Sequence, residues 1–165
     1  MVERSEVAGV KHPTSAQRKS DREVVVRRTF DAPARLVFEA WTRPELFRQW
    51  WVPKSLGLVL LSVEQDVRVG GGYRLVFDLG DSKTMAFFGK YIEVTPPSRL
   101  SWTNEESDDG AVTTVTLEEK GGRTHLTFSE LYPTKDALDR NIGSTEGLPE
   151  KFAQLDALLP TIVRG

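Results

Sequence analysis

The sequence contains no cysteine among its 165 residues. Disulfide bonds, thiolate metal ligands and a cysteine nucleophile are therefore excluded. A chain without disulfides fits a reducing compartment, so we expect a cytoplasmic protein. The length and the 39% of hydrophobic residues fit one domain of ordinary size, which can bury a sufficient core without covalent staples.

Histidine, long apolar runs and strong net charge are also scarce. The two histidines, His12 and His125, lie far apart in sequence, so they cannot build a histidine-rich metal site. No apolar run approaches the roughly 18 residues of a membrane span, and the N-terminus lacks the apolar segment of a secretory signal. A net charge of −2 carries no electrostatic sign of a nucleic-acid partner. We therefore predict neither a membrane span nor nucleic-acid binding.

The first 22 residues differ in composition from the rest of the chain. Five basic and three acidic residues give this segment a net charge of 5 − 3 = +2, which leaves 17 − 21 = −4 for the remainder. The segment is polar and has almost no apolar periodicity, so we predict a disordered leader at 1–22. A basic arm that binds a partner is the alternative. One domain is predicted at 23–160, followed by a tail at 161–165.

Two helix-start signals follow the first predicted strand. The β-branched run Val24-Val25-Val26 favours a strand over 23–30. Pro33 and Pro44 then each mark an early helical position, where the missing N–H costs nothing. We expect two short helices there, the second ending near Trp51.

Strands and turns fill residues 58–132. Apolar and polar residues alternate over 73–78, which indicates a strand with one apolar face. Turns with glycine or proline separate six predicted strands, and the last two form a hairpin around Lys120-Gly121-Gly122. Pro149 interrupts the helical pattern that follows, so the best-formed helix is expected from Leu148 to Leu159. Its apolar stripe consists of Phe152, Leu155, Leu158 and Leu159.

The predicted fold class is α+β, with the element order β-α-α-β6-α. A curved antiparallel sheet, with the first strand at an edge, wraps around the long C-terminal helix, because its concave face is the one large apolar surface available to the helix. Arg27 and Arg28 on the edge strand should discourage pairing with another chain. We therefore expect a monomer.

Several local motifs occur in an order that resembles one superfamily. They are Thr29-Phe30-Asp31-Ala32-Pro33, Val37-Phe38-Glu39-Ala40-Trp41-Thr42, Pro44-Glu45-Leu46, Trp50-Trp51, Gly70-Gly71-Gly72-Tyr73-Arg74, Gly89-Lys90-Tyr91, Pro96-Pro97-Ser98-Arg99-Leu100 and Thr124-His125-Leu126-Thr127-Phe128. Together they resemble the START-like (birch-pollen-allergen-like, helix-grip) superfamily. Within it, the chain is similar to the bacterial branch named after the activator of heat-shock-protein-90 ATPase homologue.

The resemblance covers residues 23–159 and implies the helix-grip fold with an internal pocket. One departure concerns the start of the last helix. Many relatives have Gly-Trp there, whereas this chain has Gly147-Leu148-Pro149. Loss of the aromatic residue should enlarge the pocket, while a kink at the proline would collapse one end of it.

A curved sheet around one helix leaves room for a ligand site, and such sites are concave, mainly apolar and poor in polar groups. Two adjacent indoles cannot both point inward, so one of Trp50 and Trp51 is expected in the core and the other near the pocket mouth. From strand alternation, we predict that the ligand contacts Trp50, Tyr73, Leu75, Phe77, Phe88, Trp102, Leu117, Phe128 and Phe152.

No catalytic cluster is evident among the polar residues. His125 and Arg74 are expected on the outer face of the sheet, by alternation. Glu64 and Asp66, two residues apart on a strand, fit a solvated face better than an acid–base pair. Gly70-Gly71-Gly72 lacks the lysine and the following helix of a phosphate-binding loop. We expect no catalytic residue, no metal and no cofactor.

The predicted function is non-catalytic binding of a small hydrophobic or amphipathic ligand between the sheet and the C-terminal helix. Two alternatives stay open. Polyketide cyclases and aromatases of the START-like superfamily shape a reactive chain within a pocket and need few acid–base groups. The name of the branch implies a module that regulates a chaperone ATPase, so a chaperone is a candidate partner.

Overall fold

The structure, a computed structural model, describes residues 12–162. What was predicted for residues 1–11 and 163–165 lies outside the described residues. The remainder forms an eight-stranded antiparallel sheet with four α-helices.

Part of the predicted leader is a strand. Ser15–Arg18 (β1) pairs antiparallel with Glu23–Phe30 (β2), so that Ala16 lies opposite Val26. The prediction of disorder was therefore wrong for this segment. The free N–H and C=O groups along an uncovered strand edge bind even a polar segment of low β-propensity. The prediction that 23–30 is the edge strand was wrong for the same reason, because β1 covers it.

The remaining elements follow the predicted order. Two short helices come first, Ala34–Thr42 (α1) and Pro44–Phe47 (α2), and a 3₁₀ turn follows at Lys54–Leu56. The six strands are Val59–Gln65 (β3), Gly72–Gly80 (β4), Lys83–Thr95 (β5), Arg99–Thr103 (β6), Val112–Lys120 (β7) and Arg123–Leu131 (β8). The chain then forms Lys135–Arg140 (α3), Leu148–Leu158 (α4) and a 3₁₀ turn at Leu159–Thr161.

The order of strands across the sheet is β1-β2-β8-β7-β6-β5-β4-β3, and every neighbouring pair is antiparallel. The six-strand meander and the α+β fold class are confirmed. Because β2 joins β8, the N-terminal and C-terminal strands of the domain meet in the sheet.

Helix α4 buries its apolar stripe against the sheet. Phe152 and Leu155 are fully buried, and the ring of Phe152 meets that of Phe30 edge to face, with centroids 5.5 Å apart. Pro149 lies in the first helical turn, where its missing N–H leaves no hydrogen bond unmade. The helix thus starts afresh at Leu148, as expected, and the proline does not break it.

The prediction that Arg28 discourages pairing at a sheet edge was wrong. Its side chain is fully buried and forms an ion pair with Asp156 of α4, while its guanidinium lies 4.8 Å from the ring centroid of Phe30. Val26 and Phe30 face the core, so alternation places Arg28 on the same inner face. Arg28 therefore joins the first long strand to the last helix and does not protect an edge.

Candidate functional site

A cavity of about 430 Å³ lies between β4, β5 and β6 and the start of α4. This volume is within the range of pockets that hold small organic molecules. The apolar and aromatic wall consists of Trp41, Phe47, Trp51, Tyr73, Leu75, Phe77, Phe87, Tyr91, Leu100, Trp102 and Ala111.

No helix in the described residues is long and apolar enough to cross a membrane.

Four of the nine predicted contact residues lie on this wall. Tyr73, Leu75 and Phe77 alternate along β4 and all face inward, and Trp102 joins them from β6. Their common direction is what a period of two residues requires of a strand with one buried face. The structure thus brings these four side chains together around the cavity.

The other five predicted residues lie elsewhere. Phe88 faces outward and is 38% exposed, because Leu75 on the inner face pairs with its neighbour Phe87. Sequence alternation was one residue out of register there, and such an error moves a side chain to the opposite face. The remaining four are buried in the packed core and do not line the cavity: Trp50, Leu117, Phe128 and Phe152.

As expected, one of the two adjacent tryptophans lies in the core and the other at the cavity. The predicted contact residue, Trp50, is the one in the core. Trp50 is completely buried and donates its indole N–H to the carbonyl of Ala40 at 2.9 Å. Trp51 lies on the cavity wall. The helical turn before them packs both rings against Phe47, with centroid distances of 5.5 Å and 4.9 Å.

Two wall residues carry buried polar atoms without a hydrogen-bond partner. They are the indole nitrogen Nε1 of Trp41, a donor, and the amide oxygen Oε1 of Gln65, an acceptor. The amide nitrogen of Gln65 is satisfied, since it donates to the carbonyl of Trp41 at 2.9 Å and to the hydroxyl of Tyr91 at 3.3 Å. Buried polar atoms of a folded protein are nearly always paired, and the only other such atom without a partner among residues 12–162 is Nε of Arg28.

Two tyrosines place their hydroxyl groups in the wall. Tyr73 donates to the carbonyl of Thr103 at 2.8 Å, and its hydroxyl lies 3.1 Å from Oδ1 of Asn104. Burial raises its pKa, and repulsion by Glu106 adds to the effect. Burial also raises the pKa of Tyr91 to about 12. Both phenols are therefore neutral hydrogen-bonding groups at physiological pH.

Glu130 forms a polar cluster on the wall with Tyr132 and Ser144. One oxygen of its carboxylate accepts from the hydroxyl of Tyr132 at 3.1 Å and from that of Ser144 at 3.0 Å. Burial raises the pKa of Glu130 above its usual value, and these two bonds and the positive charge of Lys151 offset part of that increase. Burial and the nearby Glu130 raise the pKa of Tyr132 to about 12.

Lys151 faces this cluster from the second turn of α4. Its ammonium nitrogen lies 3.6 Å from the ring centroid of Trp51, and among the described residues no hydrogen-bond acceptor or ion pair within 4.0 Å engages it. Burial lowers the pKa of Lys151 to about 8, and the negative charge of Glu130 offsets part of that decrease.

The segment after Trp51 holds the start of α4 in place. Gln154 donates to the carbonyls of Trp50 and Val52 at 3.0 and 2.9 Å, and its oxygen accepts from the backbone N–H of Lys54 at 2.9 Å. Glu150 accepts from the backbone N–H and the hydroxyl of Ser55, at 3.0 and 2.6 Å. These bonds fix Lys151 and Trp51 on facing elements.

Sequence reasoning missed Lys151, although a signal was present. Lys151 is three residues after Leu148 and four before Leu155, so it lies on the same helix face as two buried leucines. A lysine in that position has to extend along apolar surface. Phe87 was missed through the register error on β5, and Trp41 was not among the predicted contact residues, although both line the cavity.

The polar residues His125, Arg74, Glu64 and Asp66 do not line the cavity, whereas Glu130 does. His125 is exposed on the outer face, as predicted, and hydrogen-bonds to the hydroxyl of Thr29 at 2.9 Å. Arg74, Glu64 and Asp66 are exposed as well. Within residues 12–162, no group of three or more histidine, aspartate or glutamate side chains is arranged to hold a metal ion.

The sheet that grips one helix, and the apolar cavity beside that helix, define a protein of the helix-grip class. The family model described as "Activator of Hsp90 ATPase homolog 1-like protein" matches residues 31–160. The chain therefore belongs to this family, and the branch indicated by the sequence motifs is confirmed.

Solved structures of bacterial proteins share the fold. A protein of Rhodobacter sphaeroides superposes with a TM-score of 0.83 at 24% identity, covering 90% of this chain and 99% of that one. A protein of Nitrosomonas europaea has a TM-score of 0.76 at 22% identity, over 86% and 96% of the two chains. A protein of Chromobacterium violaceum has a TM-score of 0.69 at 29% identity, over 82% and 96%. A search of curated proteins finds no match to this chain.

Proposed function

We propose that the cavity is a non-catalytic binding site for a small, mainly aromatic, amphipathic molecule. The observation that carries this proposal is an aromatic wall in which Nε1 of Trp41 and Oε1 of Gln65 are buried without a hydrogen-bond partner among residues 12–162, and in which the ammonium of Lys151 lies over the ring of Trp51. A buried polar atom without a partner costs about 1–3 kcal/mol, which a ligand that supplies the hydrogen bond recovers.

The composition of the wall supports an aromatic ligand. Aromatic rings prefer offset or edge-to-face contacts with other rings, and each such contact adds to the gain from apolar burial. Rings of the wall already meet in this way, as Phe77 and Phe87 do with centroids 5.6 Å apart. A flat ring system that enters the cavity can extend the same arrangement.

Leu75→Trp provides the test, because the side chain of residue 75 lines the cavity and tryptophan is larger than leucine. We expect this variant to bind the neutral fluorescent probe N-phenyl-1-naphthylamine at least about tenfold more weakly than the wild type, a loss of about 1.4 kcal/mol. Fluorescence titration of the probe measures the affinity. The matched control is Leu79→Trp, because Leu79 lies on the same strand but is 49% exposed and outside the cavity.

Equal affinities of Leu75→Trp and the wild type would contradict binding in this cavity. Failure of the wild type to bind a range of neutral aromatic probes would contradict the proposed function altogether. Circular dichroism spectra and unfolding curves of both variants establish that they are folded.

The two alternative functions stay predictions with their own tests. Turnover of a polyketide substrate that disappears in Glu130→Gln would indicate a cyclase-type enzyme, because Glu130 is a titratable group on the wall. A chaperone that co-purifies with the protein, and whose ATPase rate changes when the protein is added, would indicate the regulatory role that the family description suggests.

A further inference from the structure

The charges on the cavity wall limit what can approach Lys151. Three carboxylates line the cavity, Glu106, Asp109 and Glu130, and the one ammonium among the described lining residues is Lys151. Arg140 pairs with Asp109 through two bonds of 2.7 and 2.8 Å, which leaves two carboxylates against one cation. A carboxylate ligand would add a third negative charge, so an uncharged acceptor such as a carbonyl fits the wall better.

The surroundings of the Lys151 amine are those of a reactive nucleophile. Its nitrogen lies over an aromatic ring, has no hydrogen-bond acceptor among residues 12–162 for its N–H groups, and borders an apolar cavity large enough for a ring system. Desolvation of a lysine in apolar surroundings is one of the ways by which proteins activate its amine. Glu130, on the same wall, interacts with it electrostatically.

We propose that Lys151 captures aldehyde-bearing aromatic ligands as a reversible imine inside the cavity. This inference rests on the proposed function, because the ligand must first occupy the cavity. The reacting atom is Nζ of Lys151, and the ligand is an aromatic aldehyde.

The reaction needs no further reagent. The lone pair of the uncharged amine forms a C–N bond to the carbonyl carbon, and the electrons of the C=O π bond move to the oxygen. A proton passes from nitrogen to oxygen to give a carbinolamine. Protonation of its hydroxyl then releases water, and loss of the remaining N–H proton leaves the imine. The sum is amine plus aldehyde to imine plus water, with no change in oxidation state.

The uncharged, reactive fraction of the amine is larger for Lys151 than for other lysines. With a pKa of about 8, roughly a quarter of Lys151 is uncharged at pH 7.5, against about one in a thousand for a lysine of ordinary pKa. Besides Lys151, the titratable groups on the wall are Glu106, Asp109, Glu130 and the tyrosines Tyr73, Tyr91 and Tyr132. Of these, Glu130 acts on the pKa of Lys151.

The full chain is incubated with 2-naphthaldehyde and sodium cyanoborohydride, which reduces an imine to a stable secondary amine. We expect peptide mapping to place a naphthylmethyl group on Lys151 in preference to every other lysine; the α-amino group of Met1, with an ordinary pKa of about 8, is the other amine of comparable reactivity. Lys151→Arg keeps the cation over Trp51 but cannot form the adduct, so labelling of residue 151 should be lost. Lys135→Arg is the matched control on an exposed helix lysine paired with Asp139, and it should label like the wild type.

The pH dependence tests the role of Glu130. The imine formed without reductant, measured as the difference in imine absorbance between the wild type and Lys151→Arg, should rise with pH to a plateau with a midpoint near the Lys151 pKa of about 8. In Glu130→Gln the midpoint should move to lower pH, because the carboxylate that stabilises the ammonium is gone. A midpoint that stays in place would exclude the electrostatic link.

A second compound separates this inference from the proposed function. The alcohol 2-naphthalenemethanol has the same ring system but cannot form an imine, and its displacement of N-phenyl-1-naphthylamine measures occupancy of the cavity alone. Displacement by the alcohol without preferential labelling of Lys151 would overturn imine capture and leave the binding function intact. Neither displacement nor labelling would overturn both. Peptide mapping of the wild type decides the matter even if Lys151→Arg does not fold.

Discussion

The two ends of helix α4 meet the same sheet in different ways. Toward its C-terminus, Phe152, Leu155 and Asp156 pack against or pair with β2 and its neighbours, and the space is filled. Toward its N-terminus, Lys151 faces β4, β5 and β6 across a cavity of about 430 Å³. At the filled end the guanidinium of Arg28 is paired with Asp156, although its Nε has no hydrogen-bond partner among residues 12–162; at the open end Nε1 of Trp41 and Oε1 of Gln65 have none there.

This difference indicates that the two ends of the helix contribute differently to stability. Close packing at the filled end stabilises the fold, because buried apolar area and dispersion contacts are greatest there. The open end gives up such contacts and leaves donors and acceptors without partners, which costs stability. A protein retains such a cost most readily where it serves binding.

The largest expected effect comes from truncating an aromatic ring at each end. Phe152→Ala should lower the free energy of unfolding by about 3–5 kcal/mol, since it leaves a cavity in a fully packed region. Phe87→Ala removes a ring of similar size that already borders open space, so its loss should be below about 2 kcal/mol. Urea unfolding of both variants measures the difference. Equal losses would mean that the open end contributes to stability as much as the filled end.

The next effect tests the ion pair at the filled end. Asp156→Ala leaves the guanidinium of Arg28 buried and uncompensated, so a loss of about 3 kcal/mol is expected. The comparison is Asp139→Ala, which removes a carboxylate exposed at the surface and paired with Arg18 and Lys135, for a loss below about 1 kcal/mol. Similar unfolding midpoints for the two variants would argue against a structural role for the pair Arg28–Asp156.

The last prediction concerns the dependence of stability on pH at the open end. The pKa of Lys151 falls from 10.5 to about 8 on folding. Between these values the unfolded chain binds more protons than the folded one, so the free energy of unfolding should rise with pH. Lys151→Met should remove that rise between pH values of about 8 and about 10, in urea unfolding across the range.

The control for this prediction is Lys135→Met. Asp139 raises the pKa of Lys135 above its usual 10.5, so the stabilisation that Lys135 contributes is complete throughout this range and is lost only at higher pH. This variant should therefore keep the rise of the wild type. Parallel curves for Lys151→Met and the wild type would show that burial does not penalise the ammonium.

The regular elements could be predicted because their patterns are periodic. The alternation of Tyr73, Leu75 and Phe77 and the helical spacing of Phe152 and Leu155 both follow directly from which face is buried. The cavity wall was harder. On β5 two adjacent phenylalanines offer either register, and pairing of Phe87 with Leu75 decides between them only once the strands are aligned.

Buried charges were the other limit of sequence reasoning. Arg28 and Lys151 both occur at positions whose periodicity places them inside, yet charged residues are expected at the surface. Their partners are remote in sequence, Asp156 for Arg28 and the ring of Trp51 for Lys151. A pattern of one strand or one helix does not contain that information.

The short strand β1 has a consequence for anyone who shortens this protein. A chain that starts at residue 23, where the conspicuous β-pattern begins, would leave unpaired the backbone groups along Val24, Val25 and Val26 that β1 engages. A valine-rich strand with a free edge is a template for pairing between molecules, and such pairing leads to aggregates. Because Ser15–Arg18 covers this edge, a truncation should leave these four residues in place.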